Sequence, residues 1–201
     1  MIASVTFSTF KPRNNFRAAI ARKRGESNFL LAFKRAYLAQ HQIFISGTEF
    51  ALSGYGIADV ICVALRESMN GEGSAISLEN IKEELNRQIL TAFELKLDSW
   101  KRALYQAYRY SYFANRSIVV LPTGAAASAQ RNIELFKQLK IGLWEFNADR
   151  GICQIFTPEI AQPKSPQARQ KAIELILRKV NFRKFAERPN PAFQGDKVIL
   201  T

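Results

Sequence analysis

The chain alternates, without internal repeat, between short strand-like runs and amphipathic helical stretches, and this order of elements limits its fold more than any other feature. Asn15 to Arg24, ended by Gly25, predicts a short basic helix, and Ser27 can cap a second one to about Gln40, with Phe29, Phe33 and Tyr37 on one face. Ile43 to Leu52 and Tyr55 to Leu65 read as two strands joined as a hairpin through Ser53, Gly54, Tyr55 and Gly56. A polar loop over residues 67–77 leads to a helix started by Ser77, with Ile81, Leu85 and Ile89 along one side. Thr91 to Leu97 alternates, which predicts a strand with Phe93, Leu95 and Leu97 on one face and Glu94 and Lys96 on a polar one. Asp98 or Ser99 caps a helix from about Trp100 to Asn115, and Ser117 to Leu121 is a short apolar strand. Thr123 and Gly124 open an Ala-rich helix ending near Lys140, and Ile141 to Phe146 and Gly151 to Phe156 form a second hairpin. Thr157 to Pro166, with three prolines, reads as a linker before a basic helix from about Pro166 to Phe185. Helices and strands mixed in this way predict an α/β fold, a mixed central sheet flanked by helices, rather than a regularly alternating doubly wound one.

Composition bears on what such a fold can do. With 201 residues, 47% of them hydrophobic, the chain can bury one sizeable core. Its net charge of +12 is unevenly spread. Residues 1–25 carry Lys11, Arg13, Arg17, Arg22, Lys23 and Arg24 and no acid, residues 164–201 are strongly basic, and the body between is balanced. This divides the chain into a basic N-terminal segment (1–25), a core domain (26–160) and a basic C-terminal helix and tail (161–201). Two basic ends on a neutral body suggest a polyanionic partner. A single histidine, His41, cannot build a site needing several imidazoles, and Cys62 and Cys153 lack zinc-finger spacing. Both cysteines sit in apolar runs that suit a reducing compartment. No apolar stretch reaches membrane-spanning length, so a cytoplasmic protein is expected, although the Arg-rich start also suits an organellar transit peptide.

The residue types that carry chemistry fall on two neighbouring strands. Asp59 begins the second strand, and Glu94 and Lys96 share the polar face of the third. Paired strands would bring two carboxylates and an ammonium to one end of the sheet. Two such ligands, with a backbone carbonyl such as that of Leu95, suit a hard cation that keeps several waters, Mg²⁺ above all, with Mn²⁺ able to substitute. The implied chemistry is metal-assisted hydrolysis of a phosphodiester, with Lys96 adding positive charge beside the attacking water.

These residues resemble the PD-(D/E)XK, or restriction-endonuclease-like, nuclease superfamily. The resemblance covers roughly residues 26–121: a helix, a three-stranded meander with Asp59 on its second strand and Glu94-x-Lys96 on its third, then a helix and a strand. It implies an α-β-β-β-α-β core, here with an inserted helix between Asp59 and Glu94 and a C-terminal hairpin plus helix. It also implies that Asp59 and Glu94 bind Mg²⁺, that Lys96 assists the water, and that DNA is cut to leave 5′-phosphates. Gln106 and Tyr110 resemble the Gln-x-x-x-Tyr signature of RecB-like exonucleases, and at i and i+4 they share one helix face. Glu26 resembles the extra acidic residue that some members contribute. Ala58 stands where proline commonly precedes the Asp. The resemblance tilts the reading toward DNA repair. Homodimers are common in the superfamily, although no interface is legible in this sequence.

Basic residues supply the remaining expectations. Lys101, Arg102 and Arg109, interleaved with tyrosines, could grip a phosphate backbone, and Arg169, Lys171, Arg178, Lys179, Arg183 and Lys184 on the last helix could add a nonspecific grip. The bland alternatives are a salt-bridged strand face and a solvated helix, and the competing functional reading is a noncatalytic nucleic-acid-binding or assembly protein on a nuclease-like scaffold.

Overall fold

The computed structural model describes residues 5–8, 17–64 and 78–180. Its centre is an open mixed sheet of six strands, β2 (Ile43–Leu52), β3 (Gly56–Ala64), β4 (Ile89–Leu95), β5 (Arg116–Leu121), β6 (Gly142–Asn147) and β7 (Gly151–Phe156), with the short β1 (Val5–Ser8) added parallel to β2. Strand order follows chain order. β2, β3 and β4 form an antiparallel meander, β4, β5 and β6 run parallel, and β7 returns antiparallel. The chain is therefore α/β with helices on both faces of a mixed sheet, as its sequence predicts.

One face is covered by α1 (Arg17–Gln40) and the other by α3 (Trp100–Tyr110), with α6 (Pro166–Lys179) and α2 (Leu78–Arg87) beside it. On the α1 side Phe33 and Tyr37 meet Phe93 edge-on at centroid distances of 5.2 and 4.8 Å. Phe33 also contacts Phe146, and Tyr37 contacts Trp144. The opposite core joins Ala103, Leu104 and Ala107 of α3 to Ala92 and Val119, and draws in Ala168, Ala172, Ile173 and Ile176 of α6. Small alanines let α3 lie close on the sheet.

Several elements depart from their predicted bounds. The two N-terminal helices are one, because α1 continues through Gly25. A Cβ there would stand 3.3 Å from Leu97 Cδ1, so the glycine serves close packing rather than a stop. Ile89 belongs to β4 and not to the preceding helix, and α3 ends at Tyr110 rather than Asn115. The Ala-rich helix is two, α4 (Thr123–Gln130) and α5 (Ile133–Leu139), the second closed by Lys140 in the left-handed region at φ 56°. Helix α2 lies outside the sheet, so β3 and β4 pair directly across the insertion. The segment read as a linker is tied down: the amides of Ala161, Lys164 and Ser165 donate to the carbonyls of Asn115, Ser111 and Tyr112. Arg183 and Lys184, and the final turns of the predicted last helix, fall outside the described residues.

Arg169 is a correction of role. It is buried, and its guanidinium donates to the carbonyls of Phe113, Leu85, Asn86 and Gln88. Burial lowers its pKa to about 10. A fork with five donors satisfies the open end of α2 and fastens it to α6, so Arg169 is a clip and not a surface grip. The Lys82–Glu174 ion pair at 3.1 Å joins the same two helices.

Candidate active site

The β3–β4 ladder runs from Ala64 opposite Ile89 to Val60 opposite Phe93 and stops there. Asp59 and Glu94 are the next residues on each strand. Instead of continuing the backbone ladder, Asp59 Oδ2 accepts the Leu95 amide at 2.7 Å. A side chain thus replaces a carbonyl where the strands part. β4 keeps its pairing with β5 on the other side, and the Lys96 amide extends it by donating to Val120.

Glu94 and Lys96 are brought together with Asp59. Lys96 Nζ lies 2.6 Å from Glu94 Oε1 and 4.0 Å from Asp59 Oδ2. Glu94 is fully buried, whereas side-chain exposure is 16% for Lys96 and 24% for Asp59, so the trio opens to solvent on the Asp59 side. The expected polar strand face is not solvated, because α3 covers it. That helix supplies Tyr110, whose hydroxyl is in hydrogen-bond contact with Glu94 Oε2 and with the Ile57 carbonyl. A phenol has one proton to give, and two acceptors are both satisfied when Glu94 also carries a proton.

Electrostatics point the same way. Burial, reinforced by the charge of Asp59, pushes Glu94 up to about 7, with Lys96 and Tyr110 opposing. Burial also raises Asp59 above the usual carboxylate range against the pull of Lys96 and the Leu95 amide. Burial alone would lower Lys96, but Glu94 and Asp59 outweigh it and hold the ammonium above its ordinary pKa. Burial and the Glu94 charge raise Tyr110, which stays a neutral donor. Glu26, within α1, acts on both Asp59 and Lys96.

Glu49 was missed by the sequence reading. It lies on β2 between the pairs Thr48–Val60 and Phe50–Ala58, across from Asp59, and it raises the Asp59 pKa. Its backbone is left-handed, at φ 51°. Ile45 and Phe50 pack in the same core although they are an odd number of residues apart, so side-chain alternation resets at this point. Nothing in the local sequence Thr48-Glu49-Phe50 signals that irregularity.

A hard cation fits this donor set. Asp59 and Glu94 offer carboxylate oxygens beside the Lys96 ammonium, and Asp59 stays partly open to solvent. Among the described residues no group of three or more His, Cys, Asp or Glu side chains could hold an ion. An ion here would therefore rely on two carboxylates, the Leu95 carbonyl and water.

The other predicted residues lie around this centre. Gln106, one turn before Tyr110, is half-buried, and its Oε1 is buried without a hydrogen-bond partner. Arg109 donates to the Gly54 carbonyl at 2.8 Å and so braces the β2–β3 hairpin. Lys101 and Arg102 on α3 and Lys171, Arg178 and Lys179 on α6 are exposed. No helix among the described residues is long and apolar enough to cross a membrane. Compared with family models, curated proteins and solved structures, the chain matches none.

Proposed function

We propose that the protein is a Mg²⁺-dependent DNA nuclease of the PD-(D/E)XK type that hydrolyses phosphodiesters to leave 5′-phosphates. The observation that carries this reading is the convergence of Asp59 and Glu94 on Lys96 where β3 and β4 part, with Tyr110 of the following helix on the Glu94 carboxylate. The antiparallel meander, α3 and the parallel β5 occur in the order that the resemblance implies.

Asp59, Glu94 and the Leu95 carbonyl would hold the cation, which when bound supplies positive charge beside the phosphate and makes water more acidic. Lys96 stays charged and orients the attacking water while offsetting charge on the phosphorane-like transition state. Tyr110 fixes the rotamer of Glu94, and the Leu95 amide fixes that of Asp59, so both carboxylates are positioned before substrate arrives. Lys101, Arg102 and the basic ends would hold the DNA backbone, offsetting repulsion by the acidic centre.

A second reading is favoured by one observation: Lys96 Nζ already bridges the two carboxylates, as a purely structural ion pair would. In that case the chain is a noncatalytic nucleic-acid-binding or assembly protein. Incubation with circular and linear, single- and double-stranded DNA in Mg²⁺ or Mn²⁺ separates the two. The nuclease reading predicts cutting that is abolished in Glu94→Ala and Lys96→Ala. Salt-sensitive binding without cutting favours the second reading, and cutting that persists unchanged in both variants refutes the site.

A further inference from the structure

At the opposite end of β5 from Lys96, a cleft of about 310 Å³ opens between the end of α5 and the irregular segment 157–165. This wall is fastened by reciprocal bonds. The Ala161 amide donates to the Asn115 carbonyl while Asn115 Nδ2 donates to the Ala161 carbonyl, and Arg116 Nε donates to the Pro158 carbonyl at 3.1 Å. A stretch with no regular structure held this firmly gives the cleft a fixed shape.

Its chemistry is lopsided. Arg116, Lys140 and Lys164 line it against a single acid, Glu159. The Lys164 ammonium rests 3.8 Å from the centre of the Tyr108 ring, and the chain turns at Lys140 in a left-handed conformation. Ser117, only 2% exposed, also lines the cleft, and its Oγ is buried with no hydrogen-bond partner. A buried hydroxyl left unpaired is costly, and it calls for a partner from outside the chain, an ordered water or a bound group.

From these features we infer that the cleft is a binding site for a small organic phosphomonoester, its phosphate taken by Ser117 Oγ–H and Lys140 and its organic part lying toward Tyr108. The space is several times the roughly 30 Å³ share of one water, more than a bare phosphate fills. The site stands apart from the Asp59–Glu94–Lys96 centre and does not depend on its chemistry.

Calorimetric titration of the full chain with a nucleoside 5′-monophosphate, a sugar phosphate and inorganic phosphate tests the inference. One of the two organic esters is expected to bind at least tenfold more tightly than inorganic phosphate, and which one identifies the organic part. Lys140→Gln, an exposed change, should weaken that binding about tenfold, as should Ser117→Ala, while Arg131→Ala, at the exposed end of α4, should leave it unchanged. Ser117→Ala removes only an unpaired hydroxyl, so its melting temperature should not fall, and loss of binding there cannot be assigned to misfolding. No binding of either ester, or affinities equal in wild type, Lys140→Gln and Ser117→Ala, overturns the proposal.

Discussion

Replacing Glu94 by Gln should change how stability depends on pH in a way that follows from burial. A carboxyl held at about 7 in the folded chain, against an ordinary 4.5, keeps its proton through a window in which the unfolded chain gives it up. The stability linked to this group is fully present below pH 4.5 and is lost as pH rises through 7. A difference of this size is worth about 3 kcal/mol, a large share of a typical domain's roughly 5–15 kcal/mol. Gln keeps the size of the side chain and mimics the protonated acid. The unfolding free energy of Glu94→Gln should therefore gain on that of wild type by about 3 kcal/mol between pH 4 and pH 8. Urea titrations in chelator, read by the fluorescence of Trp100 and Trp144, measure it. A difference that is flat across this range, or that grows toward acid, would refute the argument that Glu94 is buried at a cost.

Other expectations concern the frame around the site. Arg169→Met should destabilise the fold by about 3 kcal/mol, since carbonyls of α2 and of the turn after α3 lose their buried donor, and thermal melts read the loss. Gly142→Ala would place a Cβ 2.9 Å from Ile118 Cγ1 and 3.2 Å from Pro158 Cδ, and a loss of about 1–3 kcal/mol in denaturant titration is expected. On the nuclease reading, removing residues 181–201 should weaken DNA binding and flatten its dependence on salt, which filter binding at several salt concentrations would report.

Much of the fold is written in local pattern. The alternating run around Glu94, the Ser53–Gly54 turn and the apolar stretch before Leu121 mark strands because two-residue periodicity and turn chemistry act over a few residues. What was hidden depends on distant partners. Gly25 looks like a helix stop until Leu97 is seen packed against it. Glu94 looks solvated until α3 covers it, and Arg169 looks like surface charge until four carbonyls surround it. Asp59 and Lys96 were legible as a pair because the strand order brings them together. Glu49 was not, since its left-handed backbone has no signature in residue type.

Crystals soaked in Mn²⁺ and measured for anomalous scattering address the central claim most directly. The account predicts a peak coordinated by Asp59, Glu94 and the Leu95 carbonyl, with Lys96 Nζ moved off Glu94 Oε1, and no peak in Glu94→Gln. A wild-type site with no peak, its ammonium still bridging both carboxylates at saturating Mn²⁺, would contradict it.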